Sequence, residues 1–247
     1  MTNLWLAVVS LAACFTLTAR ARAYRPFDGT DAGVTAPRQV ELELGPAGYL
    51  REGAESQLVL PALVLNYGVV PGSEVVLEGR DSWLLRRRPQ HNGVDDVALS
   101  LKSVLRAGSL QGERGLSVAV ENGLLLAGSS DRLGVHVASI ISQRWPDLSL
   151  HLNLSNDLLA APYYQAGAGL IIEGPDAWRV RPVAEVLLGH DFGRASLRSG
   201  FAESLLVGAI APYGDAIVFD LGLRYGHTDR QRDEEARLGF TWSFGTQ

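Results

Sequence analysis

Ionisable side chains at every second position are the only recurring chemistry in this sequence. Glu41 and Glu43 flank Leu42, and Asp220 and Arg224 share one face of "IVFDLGLRYG". By the same phase, Glu41, Glu43, Glu74, Glu78, Asp96, Glu121, Glu173, Glu185 and Asp220 fall on polar faces with Arg80, Lys102, Arg106, Arg179, Arg181, Arg224 and Arg237. Nine acids against seven bases are nearly balanced. Buried charges persist only when paired or solvated, so the set implies cross-strand ion pairs around a common interior.

Catalytic patterns are missing. There is no Gly-rich phosphate loop, no G-x-S-x-G and no H-E-x-x-H. The five His residues (His91, His136, His151, His190 and His227) lie on separate segments, which gives a metal site no support and implies no cofactor. His190-Asp191 with Ser196 allows a hydrolase-like constellation, although "HDFGRAS" reads first as a turn. The net charge of −5 argues against a nucleic-acid partner.

The elements that carry these charges are strands. After residue 24 no helix-period run exceeds about two turns. Period-2 segments recur at 39–50, 57–67, 74–84, 95–106, 116–125, 132–143, 147–156, 163–173, 179–189, 197–209, 215–226 and 236–244. In "LSLHLNLS", Leu148, Leu150, Leu152 and Leu154 oppose Ser149, His151, Asn153 and Ser155. Segment 197–209 is the weakest, because Glu203 breaks either choice of face. Twelve strands of this length match what a tilted strand needs to cross a bilayer, about 9–11 residues.

Alternation alone leaves open which face is inside, since a soluble sandwich alternates too. Three features turn the apolar face outward. Ionised groups crowd the polar faces and avoid the apolar ones. "RWPD" (144–147), "GPDAW" (174–178) and "APYGD" (211–215) are compact and all fall at one end, while "RRRPQHNG" (86–93) and "HTDRQRDEE" (227–235) are charged and fall at the other. "AGSLQGERG" (107–115) is long for the compact side. Aromatic residues gather near strand ends: Tyr67, Trp145, Trp178 and Tyr213 at the compact end, Tyr49, Trp83, Tyr163 and Tyr225 at the other.

The fold expected is therefore all-β: a transmembrane antiparallel up-and-down barrel of about 12 strands. Hydrocarbon offers backbone groups no partner, so the sheet must close, with the last strand pairing the first. "RLGFTWSF" matches the assembly signal of outer-membrane barrels, with Arg237, Gly239, Trp242 and Phe244 in its slots; Gly245-Thr246-Gln247 follow where the aromatic usually ends the chain.

Residues 4–17, "LWLAVVSLAACFTL", are too short for a spanning helix and precede "ARA" (21–23). They read as a signal peptide over 1–23, cut before Tyr24, leaving residues 24–38 as a periplasmic lead-in to the barrel at 24–247. "LAAC" also resembles a lipobox with Cys14 lipidated, but the apolar run continues past Cys14 and no basic residue precedes it. Cys14 is the only cysteine.

"YRPFDGTDAGVTAPRQVELELGPAGYL" resembles the start of the outer-membrane, transporter-like family grouped with the meta-pathway of phenol degradation, and "RPVAEVLLGHD" and "VFDLGLRYG" resemble its later strands. The resemblance implies a bacterial outer-membrane barrel with a transport role. Its expected partners are membrane lipid and lipopolysaccharide, the barrel-assembly machinery and a small solute, with both chain ends periplasmic. A passive channel is the leading expectation. A structural or surface-interaction barrel with a closed, salt-bridged lumen is the alternative, and a membrane-embedded enzyme the third.

Overall fold

A computed structural model describes residues 25–86, 88–126, 133–160, 163–193, 200–228 and 231–245. The expected leader and Ser196 lie outside the described residues. Twelve strands form one closed antiparallel barrel in sequence order: β1 (Gln39–Glu52), β2 (Glu55–Val70), β3 (Ser73–Leu84), β4 (Gln90–Arg106), β5 (Ser117–Leu125), β6 (Gly134–Arg144), β7 (Ser149–Leu159), β8 (Tyr163–Glu173), β9 (Arg181–Gly193), β10 (Gly200–Tyr213), β11 (Ile217–Thr228) and β12 (Gln231–Gly245). β1 closes on β12, with Val40 opposite Phe244 and Leu42 opposite Trp242.

The outward face is apolar where it is regular. Leu99, Leu101, Val186, Leu188, Leu205, Val207, Leu221 and Leu223 are each 42–55% exposed. A continuous belt of that size is far beyond what a soluble monomer leaves uncovered, so this face is built for hydrocarbon. Aromatic residues fringe it at both ends. Tyr67, Trp145, Trp178 and Tyr213 are exposed at the near rim, where Gln39 and Gly245 lie, and Tyr49, Trp83, Phe192 and Tyr225 at the far rim. Leu238 is exposed and Phe240, Trp242 and Phe244 are half-buried on this outer face, with Trp242 and Phe244 rings 4.8 Å apart.

The far-rim connections are shorter than expected. β4 begins at Gln90, within "RRRPQHNG", and β12 at Gln231, within "HTDRQRDEE". Strand pairing there continues past the apolar belt. Beyond hydrocarbon neither face need be apolar, so the period-2 signal ends before the strand does. β10 was ambiguous for another reason. Leu206 and Ile210 point inward, where they are buried, while Leu205 and Val207 point outward, and Glu203 is an exposed outward residue near the far rim.

Candidate functional site: the occupied lumen

Residues 25–38 do not lie outside the barrel, as a periplasmic lead-in would. The segment turns back at Arg38, whose φ is 64°, and enters the lumen from the near rim. Arg38 N–H donates to Gly68 O at 2.8 Å, and Pro37 bridges Gly68. A Cβ on Gly68 would stand 2.0 Å from Ala36 O, so only glycine lets the segment pass there.

An extended segment without strand partners must find acceptors for its N–H groups elsewhere. Here the barrel wall supplies them. Thr35 N–H donates to Glu74 Oε2 at 2.6 Å. Ala32 N–H donates to Ser142 Oγ at 2.9 Å, Thr30 N–H to Asn153 Oδ1 at 3.1 Å, and Gly29 and Asp28 N–H to the two oxygens of Glu185 at 2.8 and 2.9 Å. In return Asn153 Nδ2 donates to Thr30 O, Lys102 Nζ to Thr30 Oγ1 and Arg237 Nη1 to Pro26 O. The segment thus sweeps the inner wall from β3 past β7 and β9 to β12.

Charge and apolar contacts finish the fit. Asp28 is gripped by Arg224 and by Arg237, the latter at 2.6 Å. Arg25 faces the buried Asp220 at 3.6 Å. Phe27 packs in an inward-facing cluster with Ile171, Val183, Leu206, Ile210 and Val218. A second cluster joins Ala32 to Ala119, Ile140 and Leu110. Leu110 belongs to a 3₁₀ turn (Ser109–Gln111), which explains the long near-rim connection: it folds inward, and Gln111 Nε2 donates to Ala32 O at 2.9 Å.

The wall polar groups form relays behind these contacts. Ser142 Oγ is 2.8 Å from His151 Nδ1. His151 Nε2 lies 3.2 Å from Glu173, which also pairs with Arg181 at 3.0 Å. Lys102 pairs with Glu74 at 3.5 Å. Glu41 accepts from Ser243 and Glu43 from Asn66.

Most of the expected inward residues are where the alternation puts them. Glu41, Glu43, Glu74, Lys102, Glu173, Glu185 and Asp220 are all buried in the near half of the lumen. Arg224 and Arg237 lie deeper, sharing Glu235 at 3.4 and 2.7 Å. Their partners differ from expectation. Arg224 and Arg237 pair with Asp28 of the segment and Asp220 with Arg25, beside the cross-strand pair Arg224–Glu235. Glu121 sits across from Lys102. Glu78 faces inward yet is exposed.

Three assignments need correction. Arg106 is exposed at the end of β4, beyond a bulge at Val104/Arg106 that shifts its register. Arg179 is exposed in the β8–β9 connection. A bulge also makes Asp95 the buried residue opposite Arg80; Asp96, with φ 52°, reaches Arg80 at 2.7 Å as an ion pair. The longer strands add Glu52, Asp157, Asp191, Asp233 and Glu235 to the inward face. Sequence phase missed these because they lie beyond the apolar belt. The lumen is therefore clearly acidic rather than balanced.

The hydrolase-like constellation does not assemble. His190 points outward against Phe192, with ring centroids 4.3 Å apart, whereas Asp191 points inward and accepts from Gln165 at 2.7 Å. Neighbours along a strand face opposite sides.

No protein-family model matches the chain, and no curated protein sequence matches it. Solved structures do. An outer-membrane channel from Pseudomonas putida F1 aligns with a TM-score of 0.65 at 11% identity, covering 88% of this chain and 100% of that one. The NanC porin aligns with a TM-score of 0.60 at 10% identity, covering 82% and 98%. The fold is that of outer-membrane channels and porins.

Proposed function

We propose that this protein is a passive outer-membrane channel for small solutes, with both chain ends periplasmic, whose resting lumen is closed by its own N-terminal segment. One observation carries the reading. The wall of the near half meets the segment with side chains aimed at its backbone: Glu74, Ser142, Asn153 and Glu185 each accept one or more of its N–H groups. Water can replace such contacts when the segment leaves, and a single turn at Arg38 joins it to the barrel. The far half carries Glu52, Asp157, Asp191, Asp233 and Glu235 on its inward face. The resemblance of residues 24–50 to a transporter-like family points the same way. The exposed Arg51 and Arg86 of the far rim suit lipopolysaccharide phosphates, and the β12 signal suits the assembly machinery.

A barrel of purely structural duty is favoured by the Phe27 cluster, which gives the segment an apolar anchor as well. One experiment separates the two. A Cβ on Gly29 would lie 3.1 Å from Asn153 Cγ, the place a cysteine sulfur at 153 would take, which puts the two positions within disulfide reach. Gly29→Cys with Asn153→Cys, refolded into planar bilayers, is expected to stay shut when oxidised and to show openings when reduced. Equal conductance in both states would remove the gating role.

A further inference from the structure

We propose that the pocket holding Arg25 is a cation site on the permeation path, filled by a tethered guanidinium in the closed barrel and by a small organic cation bearing a guanidinium group in the open one. The proposal rests on the gating reading above. Its pocket can nonetheless be tested separately.

The pocket is shaped for that group. The Arg25 guanidinium lies between β1 and β12 at Gly45 and Gly239. A Cβ on Gly45 would stand 2.5 Å from Arg25 Nη2, and one on Gly239 would stand 2.6 Å from Nε. Two facing glycines thus open a slot that any side chain would close. Gly239 also occupies the glycine slot of the β12 assembly signal, so the slot gives it a second duty.

Its charge exceeds what Arg25 supplies. Asp220 faces the guanidinium at 3.6 Å, and the buried Glu43 stands on the inner face of β1, two residues before Gly45. Glu43 spends one oxygen on Asn66. Asp220, whose side chain is fully buried, has neither oxygen hydrogen-bonded within the described residues, and its Arg25 contact is 3.6 Å. The next cation, Arg237, is engaged by Asp28 and Glu235. When the segment withdraws, Arg25 goes with it, and Asp220 and Glu43 are left facing the lumen with an unfilled slot. A planar cation with several N–H donors matches those carboxylates better than a spherical ion does. The tethered arginine is then a competitor for the site its solute uses.

The test is chemical rescue in the full mature chain. Arg25→Ala empties the slot and leaves the other segment contacts in place. Bilayer conductance of this variant is expected to exceed wild type. Millimolar guanidinium chloride should return it toward the wild-type level and raise its thermal midpoint in detergent, where equal sodium chloride does neither. Closed wild type, with its slot filled, should show no rise in midpoint. Adding Asp220→Asn should weaken the rescue by at least about tenfold, as expected for losing a hydrogen-bonded charge partner; Glu43→Gln serves if that variant fails to insert. Reversal potentials across a guanidinium chloride gradient should show wild-type openings carrying guanidinium over chloride. Guanidinium acting no differently from sodium on both conductance and midpoint would overturn the proposal while leaving gating intact. A guanidinium-specific rise in midpoint without any conductance change would uphold the pocket and reject gating.

Discussion

Arg237 Nη2 lies 2.6 Å from the carboxylate of Asp28, binding a residue near the start of the chain to the middle of its last strand. Arg224 grips the same carboxylate from β11, and both guanidiniums are mostly buried. Removing one partner of a buried pair leaves an uncompensated charge and costs about 3–5 kcal/mol. Asp28→Ala should therefore loosen the segment, measured as faster amide exchange at residues 28–35 and as more frequent openings in bilayers. Arg86→Ala, which breaks an exposed pair with Glu55 at 2.9 Å, is worth at most about 1 kcal/mol and should alter neither.

Leu221 and Gly222 are neighbours on β11 with opposite duties. Leu221 is half exposed toward lipid. Leu221→Arg should cost about 2–4 kcal/mol of folding free energy in a bilayer, read by urea titration in lipid vesicles. A Cβ on Gly222 would meet Pro26 Cβ at 2.8 Å. Gly222→Ala should instead leave barrel stability near wild type and push the segment out, so conductance rises.

Gly68 controls the point of entry. Its Cβ would strike a backbone oxygen, Ala36 O, and no rotamer relieves that. Gly68→Ala is expected to displace residues 25–37 while the strands still pair, because Gly68 stands near the end of β2. Limited proteolysis should cut the displaced segment in folded protein. A protease-resistant segment would show that it enters by another route.

The acidic lumen sets ion preference. With Arg106 and Arg179 outside it and Glu52, Asp95, Asp157, Asp191, Asp233 and Glu235 within it, openings should favour potassium over chloride. Glu78→Gln, at an exposed inward position, should shift the reversal potential toward zero without changing stability. Chloride preference in the wild type would contradict this account of the wall.

The sequence by itself determined the barrel. Twelve alternating segments became twelve strands, and Leu221, Leu223 and Leu238 faced outward as read, because side-chain direction in a strand is a local property with period two. Closure followed as well, since a membrane tolerates no open edge. Where local pattern ceased to be informative, the reading stopped short. Bulges at Val104/Arg106 and beside Asp96 shifted the phase for Arg106 and Asp95. Strands ran on beyond the hydrocarbon, where water accepts any face. "YRPFDGTDAGVT" carries no periodicity at all. Only the tertiary structure decided that most of it lies inside, because its partners Glu74, Ser142, Asn153, Glu185 and Arg237 are spread over five strands and meet on one path only once the barrel has closed.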